Sequence, residues 1–195
     1  MLQNIKGIAI VAVLGFVGYS IFLAPKSEQT ADLGQVLDRT EYVLTEYQGY
    51  MGENGIDSVG DEEMAQFTAF YTDILNAEPK FYDETLGLEV MEDATFLGFA
   101  DANANGIQDE SEGKVFTVEI DEENNRLIAT DMAGNSSGLR FSGAGFLAGA
   151  LMGNLLGRQR AAGVTKGSFN NRNVTPRSNY RAPASSRSGG PRSGK

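Results

Sequence analysis

The sequence predicts an α+β protein with an N-terminal membrane helix, two amphipathic helices plus a small antiparallel sheet, a glycine-rich second apolar helix and a disordered basic tail. Three observations predict it. An apolar stretch stands at each end of an acidic block, the hydrophobic period inside that block shifts from about 3.6 to 2, and residues 159–195 carry almost no large apolar side chains. All 26 acidic residues lie between Glu28 and Asp131, whereas nine basic and no acidic residues follow Gly157.

At 195 residues the chain has room for one domain and appendages. Residues 25–139 hold five basic residues against 26 acidic ones, a net −21, and residues 158–195 hold nine basic ones, a net +9. A surface that acidic repels DNA and anionic headgroups and attracts divalent cations or basic partners. The chain has no histidine and no cysteine, which excludes Ser-His-Asp triads, Cys-His dyads and zinc sites built on those ligands. An enzyme would have to work with carboxylates, Lys, Tyr or a hard metal ion. The one candidate is a glycosidase-like pair among Glu89, Glu92 and Asp93, and these sit in an acidic run of the kind usually left solvated. The expectation is therefore a non-enzymatic protein.

Residues 1–26 read as an N-terminal transmembrane anchor. Ile5 to Ala24 is apolar apart from Lys6, Tyr19 and Ser20, and as a helix it would span roughly 30 Å, one bilayer core. A cleaved signal peptide is the competing reading, although small residues are poorly placed for cleavage ahead of Pro25. Residues 27–138 form the acidic domain. From Thr30 to Met51, apolar residues at Leu33, Val36, Leu37, Val43, Leu44, Tyr47, Tyr50 and Met51 keep three-four spacing, with Thr30 as N-cap and Gly52 and Gly55 at the exit. A second helix runs from Asp61 to Asn76, burying Met64, Phe67, Phe70, Tyr71, Ile74 and Leu75, and Pro79 ends it. After Leu86 the period approaches two. Thr95–Phe99 reads as a strand, and Lys114–Ile120 and Arg126–Thr130 read as a hairpin around the turn Asp121–Asn125. Met132 to Gly138 reads as a linker.

The sharpest chemical motif is Asp101-Ala102-Asn103-Ala104-Asn105-Gly106-Ile107-Gln108-Asp109-Glu110-Ser111-Glu112. Oxygen-bearing side chains fall at positions 1, 3, 5, 9 and 12 with Gly at 6, the spacing of a loop that wraps a calcium ion. Asp101, Asn103, Asn105, Asp109 and Glu112 would ligate through side chains and Ile107 through its carbonyl, while Gly106 permits the sharp turn. The strand-like flanks and Gln108 at position 8 argue against a helical EF-hand. The stretch Phe99–Ile120 resembles the B-type repeats of Gram-positive bacterial surface adhesins, β-domains in which a D-x-N-x-N-G-x-Q-D-x-x-E loop lies between strands. That resemblance implies calcium binding, covers one short copy and does not extend to the two helices. Asn, Asp and Gly also favour turns without any metal. With three formal negative charges pointing inward, the expected ion is a weakly held structural Ca²⁺, with Kd on the order of 10⁻⁴ to 10⁻³ M.

Residues 139–158 read as a glycine-zipper helix and second membrane segment. Gly145, Gly149, Gly153 and Gly157 repeat every four residues, a stripe that disfavours a helix in water but allows close helix packing in a bilayer. Residues 159–195 read as disordered. The basic residues after Gly157 would keep both termini cytoplasmic and the acidic domain extracytoplasmic. The combined expectation is a bacterial envelope protein of the cytoplasmic (inner) membrane with a calcium-binding outer domain in a structural or assembly role. Its expected partners are a second copy or another membrane protein, and anionic lipid at the tail, with no specific nucleic acid. The alternative is a glycine-zipper homo-oligomer acting as a pore or scaffold.

Overall fold

A computed structural model of the chain describes residues 30–141, 146–165 and 167–183. In chain order these form α1 (Leu33–Glu53), α2 (Asp61–Asn76), β1 (Leu86–Val90), β2 (Phe96–Ala100), β3 (Lys114–Asp121), β4 (Arg126–Asp131), β5 (Ser136–Arg140), α3 (Ala150–Ala161), β6 (Thr175–Pro176) and a 3-10 turn, Arg177–Asn179. Strands β1 to β5 make an antiparallel meander, and β6 adds to the β5 edge in parallel.

Both N-terminal helices follow their apolar period. Leu33, Val36, Leu37, Val43, Leu44, Tyr47 and Met51 of α1 are buried, and so are Met64, Phe67, Tyr71 and Leu75 of α2. Asp32, not the expected Thr30, caps α1, its Oδ1 accepting from Gly34 N (3.0 Å) and Gln35 N (3.3 Å). Glu63 reaches back to accept from Gly60 N at 2.8 Å and closes the start of α2. The far end of α2 has no basic residue of its own. Arg39 of α1 supplies the charge instead, donating to the carbonyls of Ile74 (2.5 Å), Leu75 (2.9 Å), Ala77 (2.9 Å) and Pro79 (2.6 Å).

Helix α1 lies against β4 and β5, and α2 against β1. Phe67, Tyr71 and Phe96 pack edge to face or tilted, with ring centroids 5.5–5.9 Å apart. The Tyr71 hydroxyl is hydrogen-bonded to Thr40 Oγ1 in this interior, and burial pushes the phenol well above its ordinary pKa. Across the sheet, Gly98 faces Phe116 and Gly87 faces Phe99. A Cβ on either glycine would overlap the ring opposite, so each aromatic ring occupies the space its glycine partner leaves empty.

The structure corrects the expected fold class in three places. The sheet has six strands and is mixed, not small and antiparallel. Residues 136–138, expected within a linker, and residues 139–140, expected to open the second apolar segment, together form β5, held in register from Thr130↔Ser136 to Arg126↔Arg140. The second apolar run is no membrane segment. Its helix, α3, has 12 residues and lays Leu151, Met152, Leu155 and Leu156 into the same core as the other two helices. Gln159 donates to Ile120 O at 3.0 Å, and Asn154 to Val59 O at 3.1 Å.

The expected disordered tail is corrected within the described residues, because residues 167–183 lie against the domain, while residues 166 and 184–195 of that tail lie outside the described residues. Phe169 is buried, and Arg126 Nη2 donates to its carbonyl. Arg172 stacks over the Phe169 ring and forms a bidentate pair with Glu119. Arg177 pairs with Asp38 (2.9 and 2.5 Å) and donates to Gly34 O, while Tyr180 accepts from Leu33 N at 3.1 Å. Its hydrogen bond to Asp38 holds the Arg177 guanidinium above its usual pKa. Among the described residues no helix is long and apolar enough to cross a membrane, and the expected N-terminal membrane helix, residues 1–26, lies outside them. Placement in the bacterial cytoplasmic membrane with the acidic domain outside is corrected on that finding. The topology rested on residues 141–157 crossing, and the helix there belongs to the domain.

Phe169→Ala should destabilise the protein by about 3 kcal/mol in urea denaturation, as for a buried aromatic, where a disordered tail would give no change.

Candidate metal centre

The Asp101–Glu112 loop leaves β2 through Asp101 and returns to β3 through Gly113. Its base is fixed by main-chain bonds from Ala100 N to Gly113 O and from Asp101 N to Thr85 O, both 2.9 Å. The two end carboxylates are buried, Asp101 5% and Glu112 8% exposed. Among the described residues neither is paired with a basic side chain. They are held instead by the loop's own N–H groups. Asp101 Oδ1 accepts from Asn105 N (3.1 Å) and its Oδ2 from Gly106 N (2.9 Å), while Glu112 Oε1 accepts from Ala102 N (2.9 Å) and its Oε2 from Asp109 N (3.1 Å).

The middle of the loop is a run of side-chain-to-backbone turns. Asn103 Oδ1 accepts from Asn105 N at 3.0 Å and Asn105 Oδ1 from Ile107 N at 2.7 Å. Ala104 and Gly106 take the left-handed conformation, at φ 55° and 73°; glycine bears this freely and alanine at some cost. The amide nitrogens of Asn103 and Asn105 both donate to Asp109 Oδ2, at 2.7 and 3.3 Å. The Ile107 side chain is 67% exposed, leaving its main chain to the loop.

The loop therefore gathers the expected ligand residues in two groups. Asp101 and Glu112 sit at the base, and Asn103, Asn105 and Asp109 cluster above. Among the described residues no three acidic, His or Cys side chains converge as a metal site would have them. The donor chemistry still fits a hard cation. Every side chain in the set offers oxygen, the two Asn amides and Asp109 stand on the exposed part of the loop, and a rotation about each amide would present oxygen in place of nitrogen.

The expected helix-packing glycines are placed differently. Gly145 lies outside the described residues. Gly149 precedes α3 as its cap, at φ 114°, and it faces Gln48 of α1, whose amide donates to Phe146 O. Gly153 and Gly157 are exposed on α3, and a Cβ on either would meet nothing within 4 Å. The acids considered for catalysis do not share a cleft: Glu89 is exposed on β1, while Glu92 and Asp93 belong to the β1–β2 turn, where Asp93 Oδ1 accepts from Thr95 N at 3.0 Å.

Because open space surrounds Gly153, Gly153→Ala should stabilise the fold by about 0.5–1 kcal/mol through helix propensity alone, measured as a rise in the urea midpoint. A fall in stability would show that the glycine stripe is packed against a partner.

Comparison with known proteins adds no assignment to this geometry: no protein-family model, no curated protein and no solved structure matches the chain.

Proposed function

We propose that the acidic domain is a non-enzymatic calcium-binding module in which the ion braces the connection between β2 and β3. The observation that carries this reading is the pair of buried carboxylates at the two ends of one loop, Asp101 and Glu112, lying without basic partners among the described residues. Buried carboxylates are costly unless hydrogen-bonded and countered by positive charge, and in this loop N–H groups meet only the first requirement. A calcium ion would meet the second. Asp101, Asp109 and Glu112 would supply carboxylate oxygens, Asn103 and Asn105 their amide oxygens, and Ile107 its carbonyl. The ion supplies charge and cross-linking and no chemistry, consistent with a structural or assembly role. Support for a non-enzymatic reading comes from the lack of histidine and cysteine.

Calcium titration calorimetry on the full chain should give a saturable heat with Kd on the order of 10⁻⁴ to 10⁻³ M. At about 5 mM calcium the fold should gain about 1–2 kcal/mol by mass action, read as a raised Tm. Glu112→Gln and Asp101→Asn, each of which removes the charge and keeps one of the two oxygens that accept from loop N–H groups, should remove the calcium-dependent heat and the calcium-dependent rise in Tm. No heat and no Tm shift at several millimolar calcium would overturn the reading.

A further inference from the structure

We propose that the open edge of β1, together with the groove between β1 and α2, takes an extended basic peptide of a partner protein as an added strand. This inference does not rest on the calcium reading.

The register fixes which backbone groups face outward. On the β2 side, Gly87 pairs with Phe99 and Glu89 with Leu97, and the same parity continues in the bonds from Asp101 N to Thr85 O and from Met91 N to Thr95 O. Leu86, Leu88 and Val90 must therefore direct their N–H and C=O groups away from β2. At Leu86 those groups are already met in the manner of a strand: Leu86 N donates to Asn76 Oδ1 at 2.9 Å and Leu86 O accepts from Asn76 Nδ2 at 2.8 Å. The Asn76 amide stands in for one peptide unit of a neighbouring strand. Leu88 and Val90 continue the same row, and β1 is the terminal strand of the sheet on this side.

Edge strands are normally blunted by proline, lysine, a bulge or a covering element. The β1 sequence Leu-Gly-Leu-Glu-Val has neither proline nor lysine, and the one bulge nearby falls between β2 and β3. Helix α2 borders the edge without filling the space, leaving a groove of 580 Å³. Ala65, Thr68, Ala69 and Thr72 form its helical wall. Both threonine hydroxyls are bonded back to carbonyls one turn earlier, Thr68 to Met64 O (2.8 Å) and Thr72 to Thr68 O (2.9 Å). The wall thus presents methyl groups on small side chains, leaving room for a backbone and the side chains of an added strand.

Charge complementarity selects the occupant. Asp61, Asp73 and Glu89 line the groove against Arg158 alone. The opposite edge of the same sheet shows what the domain accepts. There β5 is extended by Thr175–Pro176, within a segment whose Arg172 and Arg177 pair with Glu119 and Asp38. One edge carries an extended basic segment in cis, and the other offers acidic residues and, among the described residues, strand groups at Leu88 and Val90 without a hydrogen-bond partner.

The test uses the full chain and a fluorescein-labelled ten-residue peptide alternating arginine with threonine or valine. Three comparisons accompany it: the same peptide with arginine replaced by glutamate, the same peptide with alternate amides N-methylated, and the protein with Asp73→Lys and Glu89→Lys or with Ala69→Arg. Saturable binding by the arginine peptide is expected, weakened about tenfold or more by N-methylation, by charge reversal and by Ala69→Arg. Amide hydrogen exchange should slow at Leu88 and Val90 on binding. Binding indifferent to N-methylation and to Ala69→Arg would overturn strand addition in favour of diffuse charge attraction. Protection of Leu88 and Val90 in the free chain would also overturn the proposal. If that protection grows with protein concentration, the occupant is a second copy, and if it is lost on truncation after Pro183 it is the chain's own terminal residues.

Discussion

A sheet that is apolar on both faces has to be covered twice, and most of this fold follows from that constraint. Phe96, Phe116, Val118, Ile120, Leu127 and Ala129 meet the helices, while Leu97, Phe99 and Ile128 are buried outside that cluster. Helices α1, α2 and α3 supply the first cover. The segment from Phe169 to Val174 contributes to the second before joining the β5 edge: Arg172 reaches Glu119, the cross-strand partner of Ile128, and a Cβ on Gly138 would strike Val174 at 2.6 Å. Removing apolar area of this kind from water is worth about 25 cal/mol per Å². The ion pairs that accompany it contribute at most about 1 kcal/mol each where they are exposed. Burial therefore holds the C-terminal segment down, and charge selects where it lies.

That division of labour changes what the charge partition means. Acidic and basic halves of a chain can be kept apart by a membrane or brought together by folding, and counting residues gives the same numbers in both cases. Arg160 with Glu122, Arg172 with Glu119 and Arg177 with Asp38 show folding at work. Positive-inside reasoning assumes that the apolar run between the halves crosses the bilayer. Residues 141–157 had the composition for a short crossing, but Leu151, Met152, Leu155 and Leu156 found their apolar surroundings in the domain core. An apolar run of that length suits a buried core helix as well as a membrane.

Legibility along the chain tracked how much of each element's stability is local. Helix α2 was legible to its end residues, because a strong 3.6 period coincides with an acidic first turn and a proline beyond the exit. Strands β2, β3 and β4 were legible from alternation and turn residues. In contrast, Ser136-Ser137-Gly138-Leu139-Arg140 has little strand propensity, and it becomes β5 through its ladder to β4 on one side and Thr175–Pro176 on the other. The same holds for Phe169 and Tyr180, single aromatics in a polar tail whose burial depends on surfaces more than forty residues away in sequence. At the candidate metal centre, spacing alone named the loop and its candidate donors. It could not show that Asp109 accepts from two Asn amides, because the orientation of an amide is decided by its partners.

The loop and the β1 groove are also mechanically joined. Asp101 N donates to Thr85 O just ahead of β1, and Gly106 lines the groove. Gly106 is held in turn by Asp101 Oδ2, an oxygen of the residue that would take the first ligand position. An ion that stiffens the loop thereby fixes one end of the groove, so the conformational freedom an added strand must remove is partly removed beforehand. Coupling of that kind needs no large movement, because ordering shared by two ligands is lost only once. It is also reciprocal: whatever factor an ion adds to the affinity of an extended peptide, the peptide adds to the affinity of the ion. On the proposed reading, a loop that took calcium weakly beside the β1 edge would be suited to tightening where both ligands are present.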